Sequence, residues 1–459
     1  MSERLARFAH SLRPDGIPSD VAHVAKLHLL DTLGVCLAAS ALGPGEPVGR
    51  LAGQAAAGGS TVAGWSRPLA AHDAALLNGI LAHSLEFDDT HTPSVIHGGA
   101  VVIPTALAVA EERHAPGDEL VRAFVVGFEV LIRLGLAAPG AFQARGFQTT
   151  AICGPFAAAL MSGLMMGLSE EELVAALGIA GSQPGGIFEY LSDGSSVKQL
   201  HQGWASYAGI AAARLSHAGF TGPRTVLEGR FGVYRTYADT VPRADVLDDL
   251  GSAWETLNLS IKPYPCCHFN HAFIDGALQL RPDITDPGQV SVIHCRIPEP
   301  AVAIVCEPAD RKKAPGSGYE AKFSLPYAVA AALVDGEVSH RSFTDDAASR
   351  RSVTELAAKV EYQPVNDLGY PRNLAGELEI VLNDGRSAKV SVPHHLGGPD
   401  RPLADLDVIT KFVDNAASVV EAGWARSFAD RVLSVDSLPD VAELGGELRA
   451  AAGSRSTVS

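Results

Sequence analysis

The chain has 459 residues, more than one hydrophobic core normally serves, so two domains are expected. It is 47% hydrophobic and 19% charged, a composition typical of a soluble globular protein with a large interior. The net charge of −16 argues against nucleic acid as a partner, although a few lysines can still form a local pocket for an anionic substrate.

The N-terminus and the apolar runs predict neither an export signal nor a membrane span. The first residues lack the continuous apolar core of a signal peptide. The longest apolar run, around residues 151–168, is interrupted by Pro155 and falls short of transmembrane length. The sequence therefore predicts a cytoplasmic protein with no membrane partner. Its cysteines are expected to be free thiols: Cys36, Cys153, Cys266, Cys267, Cys295 and Cys306.

Helical patterns fill the first half of the chain. After Pro18, with Ser19 as the predicted N-cap, apolar residues recur at helical spacing as far as Leu37. Ser169 stands three residues before Glu172, which is the spacing of a capping box. Helices are predicted over residues 70–85, 99–113, 149–167, 169–179 and 196–218, and one more follows Gly117 and Asp118 and runs to about Leu136.

The pattern changes near Lys262. Residues 290–298 alternate like a strand, and residues 377–382 and 387–392 flank a turn sequence typical of a hairpin. Helices are predicted over residues 323–334, 350–360, 403–420 and 425–432, and the tail from Arg449 is expected to fray. The predicted fold is mainly α with an α+β part. A large helical domain is built from residues 1–265 and 403–459, and a smaller α+β domain from residues 266–402 is inserted into it.

The stretch from residue 78 to residue 111 is rich in ionisable side chains between apolar helices. Six polar residues lie within twelve positions: Glu86, Asp88, Asp89, Thr90, His91 and His97. Such a group could supply a general base and the carboxylate that orients it. Its spacing matches neither HExxH nor a Cys/His quartet, so no metal is predicted. A solvated loop is the alternative, and for His91 a cap or a surface position.

Two further segments offer places for an anion. Gln148 and Thr149 open a predicted helix whose free N–H groups favour a carboxylate, although Thr149 could be an ordinary N-cap. Lys198 and His201 are three residues apart and are predicted to share a helix face. A lysine there could hold a carboxylate or act as a base when desolvated, and the alternative is a lysine that extends to solvent.

The segment after Lys262 places two cysteines and two histidines within six residues. A zinc site is disfavoured because adjacent cysteines point in different directions and one tight segment rarely supplies four ligands. A helix is predicted from about Phe269, with His271 in the first turn, where the positive helix end attracts anions. Farther on, Tyr327 is either a proton donor or a core aromatic with a satisfied hydroxyl.

Taken in order, six segments resemble the MmgE/PrpD family: LDTLGVCLAAS, HSLEFDDTH, GFQTTAICGPF, KQLHQGWAS, KPYPCC and EAKFSLPYAVA. The resemblance covers roughly residues 5–430. It implies a large helical domain made from both chain ends, a smaller α+β domain and a homodimer. It also implies a site between the domains that needs no cofactor and acts on a di- or tricarboxylic acid.

Individual positions match the family's motifs. His97 matches its catalytic histidine, and Lys198 and Lys262 match its active-site lysines. Gln148 stands where the family often has His, and Gln cannot exchange protons. The predicted catalytic residues are His97, Lys198, Lys262, Tyr327 and Asp88, and the predicted substrate-binding residues are Asp89, Thr90, Gln148, Thr149, His201 and His271.

The favoured reaction is loss of water from a 2-methylcitrate-like acid by proton transfer next to a carboxylate. An epimerase of a substituted succinate is the first alternative, because it needs only two opposed acid/base groups. A cis-aconitate-type decarboxylase comes next, since Gln148 places its mechanism in doubt. A non-catalytic carboxylate-binding relative and a zinc-dependent hydrolase complete the alternatives.

Overall fold

The computed structural model describes residues 1–192, 194–284, 286–370 and 373–453. The chain forms two units. The first contains Met1–Ser84, Asp88–Leu259 and the residues from Ala404 onward, and the second contains Leu85–Phe87 and Ser260–Leu403. The first unit is mainly helical, and the second carries helices and a four-stranded sheet. The predicted fold class, mainly α with an α+β part, is confirmed.

The N-terminal part of the first unit consists of helices and one short strand. The helices are Ser2–Ser11 (α1), Ser19–Ala41 (α2), Gly45–Gln54 (α3), Ala71–Ser84 (α4), Gly99–Arg113 (α5), Gly117–Leu136 (α6), Ala141–Ala144 (α7), Thr149–Met165 (α8), Glu170–Ala180 (α9), Leu200–His217 (α10) and Val233–Tyr237 (α11), and the strand is Ala57–Ser60 (β1). The capping box of Ser169 and Glu172 starts α9 as predicted.

Two local predictions in this part were wrong. The N-cap of α2 is Pro18, whose carbonyl accepts the N–H of Ala22, so Ser19 is the first helical residue. The predicted helix over residues 196–218 is divided into a 3₁₀ turn, Ser196–Gln199, and α10. Lys198 therefore lies in the turn, and it does not share an α-helical face with His201.

Among the described helices, α2 alone is long and apolar enough to cross a membrane by length and composition. The sequence had pointed to residues 151–168, but α8 is only 17 residues long. Within α2, 78% of the most apolar window is buried inside the protein, which is the pattern of a core helix.

The helices of the first unit pack closely where small residues meet. α8 and α10 pack against each other, and α4 packs against α10 and α5. A Cβ added to Gly79 of α4 would lie 2.5 Å from the Cα of Gly203 in α10. The two helices can approach this closely only because both positions are glycine. This crossing brings the last turn of α4 next to the first turn of α10.

The second unit builds its core around one mixed sheet. Its helices are His271–Leu280 (α12), Glu299–Val305 (α13), Ala309–Lys313 (α14), Gly318–Lys322 (α15), Leu325–Asp335 (α16), Asp345–Ala348 (α17) and Arg351–Ala357 (α18), and its strands are Val290–Pro298 (β2), Val360–Val365 (β3), Gly376–Leu382 (β4) and Ser387–Val392 (β5). The strand order is β3-β2-β4-β5. β2 and β3 are parallel, and β4 and β5 form the predicted antiparallel hairpin.

The sequence analysis did not predict β3. The helix expected over residues 350–360 ends at Ala357, and the chain then continues as an edge strand. Pro364 lies in this strand, and an edge position tolerates a residue that cannot donate a ladder hydrogen bond.

The C-terminal helices complete the first unit: Asp405–Ala416 (α19), Ala422–Leu433 (α20) and Ala442–Gly453 (α21). Lys411 of α19 forms a buried ion pair of 2.6 Å with Asp31 of α2. The tail was expected to fray from Arg449, but α21 remains helical to Gly453, and Arg449 donates hydrogen bonds to Thr61 and Glu111. The remainder of that predicted tail lies outside the described residues.

Candidate active site

The polar segment between α4 and α5 contributes to a buried cluster of one carboxylate and two imidazoles. Asp88 is fully buried, and its Oδ2 lies 2.7 Å from Nδ1 of His83 and 3.3 Å from Nδ1 of His97. The two rings meet edge to face with their centroids 4.9 Å apart. His83 comes from the last turn of α4, and His97 lies just before α5. We call these three residues the acid–base cluster.

The environment of the acid–base cluster sets its charges. Burial raises the pKa of Asp88, but the neighbouring His83 and His97 outweigh it and hold the pKa well below its usual range. Burial lowers the pKa of His83, an effect that Asp88 opposes. The carboxylate is therefore ionised at neutral pH, and the His83 ring is neutral and donates its Nδ1–H to Asp88.

Gln148 connects the acid–base cluster to a third imidazole. Its Nε2 lies 3.2 Å from Nε2 of His83, and its Oε1 lies 2.6 Å from Nδ1 of His201. Since Nδ1 of His83 donates to Asp88, the amide donates to Nε2 of His83 and accepts the Nδ1–H of His201. Asp88, His83, Gln148 and His201 thus form one hydrogen-bonded chain. Gln148 and His201 were predicted to bind substrate, and the structure places them beside the cluster.

His201 and Lys198 lie on the same side of the acid–base cluster. Burial is the main cause that lowers the pKa of His201 to about 4, and the nearby His83 and Lys198 lower it further. Lys198 is itself buried, and its charge also lowers the pKa of His83. The structure therefore brings the predicted Lys198 within electrostatic reach of both rings.

Asp89 takes a different role from the predicted substrate contact. Its Oδ2 lies 2.7 Å from Nδ1 of His28 in α2, and its Oδ1 accepts the N–H of Gly99 at 2.7 Å. Both carboxylate oxygens are occupied by the protein, so Asp89 anchors the start of α5 to α2. The predicted substrate contact of Asp89 stays a prediction, and the contacts in the structure give it a structural role.

Two buried hydroxyls remain candidates for substrate contact. Thr90 and Thr149 are 6% and 2% exposed, and within the described part of the chain neither Oγ1 has a hydrogen-bond partner. Buried polar atoms are normally paired, so an unpaired hydroxyl indicates a place for a ligand or for water. Thr149 is the first residue of α8, and the next residue, Thr150, accepts the backbone N–H of His97 at 2.9 Å.

His91 is turned to other partners, which agrees with the alternative of a structural position. Its Nδ1 lies 2.8 Å from Oγ of Ser94, and its Nε2 lies 3.3 Å from a carboxylate oxygen of Glu255.

The remaining predicted residues lie in the second unit. Lys262 is 1% exposed, and its Nζ donates to the carbonyl of Glu86 at 3.1 Å. Lys322 donates to the carbonyl of Leu85 at 2.6 Å. His271 is the first residue of α12, as the sequence predicted. That Lys262 and His271 act on the same substrate as the acid–base cluster stays a prediction.

The hydroxyl of Tyr327 has a hydrogen-bond partner within the protein. Tyr327 is fully buried in the hydrophobic core of the second unit, and its hydroxyl donates to the carbonyl of Ser342 at 2.7 Å. Burial raises its pKa to about 12. The structure thus matches the alternative of a core aromatic with a satisfied hydroxyl, and it gives no support to the predicted catalytic role.

The residues of the acid–base cluster are also of the types that bind metal ions. The nitrogen and oxygen atoms that His83, Asp88 and His97 could offer lie within 4.8 Å of one another. The spacing of five and nine residues matches no helical metal motif, which is why the sequence predicted none. Two histidines and one carboxylate form a known metal-binding set. However, the 2.7 Å distance between His83 and Asp88 is that of a hydrogen bond, which fits a proton-transfer cluster.

Sequence reasoning missed His83 and His28. His83 stood in the segment HSLEFDDTH but was not given a role. A histidine in the last turn of a helix, five residues before a buried aspartate, is the signal that could have found it. His28 lies 61 residues before Asp89, and no local pattern connects them. All six cysteines are free, as predicted.

A buried carboxylate between two imidazoles is an arrangement that can carry out general acid–base catalysis. Family models of the MmgE/PrpD N-terminal and C-terminal domains match residues 3–243 and 264–436. The chain belongs to the MmgE/PrpD family.

Its relatives include three cis-aconitate decarboxylases, each aligned with 97% of this chain. That of Aspergillus terreus is 28% identical over 474 residues, which are 95% of the relative. That of Homo sapiens is 30% identical over 466 residues and 93% of the relative. That of Mus musculus is 29% identical over 468 residues and 92% of the relative. The chain is therefore an enzyme of carboxylic acid metabolism with a lyase-type role.

Proposed function

We propose that the enzyme is a hydro-lyase that removes water from a small di- or tricarboxylic acid resembling 2-methylcitrate. The observation that carries the proposal is the acid–base cluster, in which one ionised carboxylate orients two imidazoles beside Gln148, whose amide is neither an acid nor a base near neutral pH. Loss of water needs a base for the proton next to the carboxylate and an acid for the leaving hydroxyl.

His97 is the proposed base. Nε2 of His83 already accepts a hydrogen bond from Gln148, and the His83 side chain is fully buried. The side chain of His97 remains 15% exposed, so a substrate can reach it. Asp88 lies 3.3 Å from Nδ1 of His97 and stabilises the imidazolium that forms when the ring takes a proton.

In this proposal, a lysine and two threonine hydroxyls bind the carboxylates of the substrate. Lys198 is buried beside the cluster, and the hydroxyls of Thr90 and Thr149 are without partners within the described residues. These groups hold a carboxylate and stabilise the negative charge that develops when the neighbouring carbon loses its proton. The resemblance assigns Lys262 and His271 to the same task.

Decarboxylation of a cis-aconitate-type acid is the second candidate, because that activity stands in the names of the relatives. It requires an acid that protonates the carbanion after CO₂ leaves. Gln148 cannot be that acid, and His201, with its pKa near 4, is neutral at pH 7. Loss of water differs because His97, once it has taken the proton from carbon, is an imidazolium that can protonate the leaving hydroxyl. Both protons are then accounted for, and for this reason the proposal favours loss of water.

Incubation with a panel of di- and tricarboxylic acids in D₂O, followed by NMR, tests the proposal. Loss of water from 2-methylcitrate is the expected result. Release of CO₂ from cis-aconitate would favour the decarboxylase, and exchange with inversion would favour an epimerase of a substituted succinate. Absence of exchange across the whole panel would contradict all three enzymatic functions, and a non-catalytic carboxylate-binding protein would then be the remaining alternative.

We further propose a cytoplasmic homodimer. Large exposed apolar side chains recur between residues 220 and 241: Phe220, Phe231 and Val241 are 62%, 77% and 64% exposed. A second copy of the chain would cover them. Sedimentation velocity of the wild type and of Phe231→Ser should show a dimer and a shift toward monomer, respectively, and a monomeric wild type would contradict this proposal.

A further inference from the structure

A cavity of about 580 Å³ opens beside the acid–base cluster, within the first unit. Its wall is mostly apolar and is formed by Ile187, Tyr190, Val197, Leu200 and Trp204. Trp204 is held in place by stacking on Tyr207, with ring centroids 5.4 Å apart and planes 8° from parallel. The volume lies in the range of sites for small organic molecules and is far larger than one methyl group requires.

His201 belongs to both the cavity and the hydrogen-bonded chain of the acid–base cluster. It lines the cavity, and its Nδ1 lies 2.6 Å from Gln148. Gly186 brings the wall close to this ring: a Cβ there would lie 3.2 Å from the imidazole, and the residue has a φ of +118°. The carbonyl of Gly186 also accepts the backbone N–H of Gln148 at 3.0 Å. His201 therefore connects the cavity, by way of Gln148, to His83 of the acid–base cluster.

We propose that this cavity binds an uncharged apolar substituent of the substrate, an alkyl chain of several carbons, while the carboxylates lie at Lys198 and the acid–base cluster. This inference rests on the proposed function and specifies its substrate class. Four side chains of the wall are 39–55% exposed, and a bound alkyl chain would remove them from water: Ile187, Val197, Leu200 and Trp204. Glu189 also lines the cavity, and its carboxylate would repel a second anionic group at the far end of the substituent.

Chain length gives the inference a quantitative form. Each methylene group that moves from water into the cavity should raise kcat/KM by roughly fourfold, the equivalent of about 0.8 kcal/mol. A series of 2-alkylcitrates with methyl, ethyl, butyl and hexyl groups should therefore show kcat/KM rising with length until the cavity is filled. Values that stay level or fall from methyl to hexyl would overturn the inference.

Two variants and one control connect the trend to this cavity. Val197→Trp fills the cavity, and Ile187→Glu places a charge at its mouth, where the side chain is 55% exposed and folding is not at risk. Each should lower the ratio of hexyl to methyl kcat/KM at least tenfold. Leu406→Trp introduces the same residue at a position that is 63% exposed and outside the cavity, and it should leave the ratio unchanged. An equal ratio in all four proteins would overturn the assignment of the cavity.

A binding measurement separates this inference from the proposed function. Calorimetric titration with succinate, butylsuccinate and hexylsuccinate needs no turnover. Tighter binding with longer chains in the wild type, lost in Ile187→Glu, would sustain the cavity even if no acid loses water and the hydro-lyase proposal fails. Turnover of methylcitrate together with length-independent binding would keep the hydro-lyase proposal and overturn the cavity.

Discussion

Asp88 and Asp89 are adjacent, fully buried and paired with histidines, yet they belong to different regions of the first unit. Asp88 faces His83 and His97, of which His97 remains partly exposed. Asp89 faces His28, whose side chain is 2% exposed, and the first N–H of α5. One carboxylate thus stands beside an accessible base, and the other is enclosed by the protein.

This difference teaches that burial and pairing do not by themselves identify a catalytic carboxylate. The Asp89 pair connects α2 to the start of α5 and so holds the residues just before α5, including His97, in place. Asp88 can then act on a ring whose position is already set. We therefore expect changes at the Asp88 region to reduce catalysis, and changes at the Asp89 region to reduce stability.

Replacement of His97 should have the largest effect. His97→Ala removes the proposed base, so kcat should fall by roughly a hundredfold to ten-thousandfold while the melting temperature changes little. Steady-state kinetics and thermal unfolding measure the two quantities. His217→Ala, at an exposed position of α10, is the matched control and should keep full activity. Full activity in His97→Ala would remove the acid–base assignment.

Paired Asp→Asn substitutions test the comparison itself. Asp88→Asn should reduce kcat by roughly tenfold to a hundredfold, because His97 loses the charge that stabilises its imidazolium. Asp89→Asn removes the carboxylate of a buried Asp–His pair and should lower the free energy of unfolding by about 3 kcal/mol, with a smaller loss of kcat in the protein that remains folded. Denaturant titration measures the free energy of unfolding of both variants, and steady-state kinetics measures their kcat. If the two variants showed the same ratio of activity loss to stability loss, Asp88 and Asp89 would not have the different roles described above.

Gln148→His tests whether the residue beside the acid–base cluster determines which reaction the enzyme catalyses. A histidine here adds a group that exchanges protons, so the ratio of CO₂ release to water loss should rise by roughly tenfold or more. Product analysis by NMR measures the ratio. Gln54→His, at an exposed position near the end of α3, controls for an added histidine. An unchanged ratio would mean that Gln148 does not select the reaction.

The sequence predicted the elements whose signals are local. α5 and β2 have the predicted bounds, because a glycine marks the start of the helix and the strand alternates cleanly. α6 ends at Leu136 as predicted but begins at Gly117, two residues before the predicted start. β3 was missed because its pattern is short, polar and contains Pro364, and only pairing with β2 makes it a strand. Propensity is a weak guide where tertiary pairing decides.

The same limit explains the site. His97 and Asp88 were found because they share one polar loop and match a family motif. The partner of His83, Gln148, lies 65 residues later at the start of α8, so no local pattern indicates this contact. The occupied hydroxyl of Tyr327 likewise depends on Ser342, which no spacing in the sequence indicates.

A third buried carboxylate, Glu111, lies near the other end of α5 and makes the stability of the protein depend on pH. Its Oε2 accepts hydrogen bonds from the N–H of Thr61 at 2.9 Å and from Arg449 at 3.2 Å. Burial nevertheless raises its pKa to about 7 from a usual value of 4.5. Since the folded state holds this proton more tightly than the unfolded chain does, stability is fully present below pH 4.5 and is lost as the pH rises toward 7.

The loss from this group should reach about 3 kcal/mol in the free energy of unfolding, because each pKa unit corresponds to about 1.4 kcal/mol. Glu111→Gln removes the titration, so its unfolding free energy should depend less on pH between 4.5 and 7 than that of the wild type. Denaturant titrations at several pH values measure the slope. Glu112→Gln, at the partly exposed neighbour paired with Arg214, should retain the wild-type slope. A wild-type slope in Glu111→Gln would show that Glu111 is ionised throughout this range, as Asp88 is.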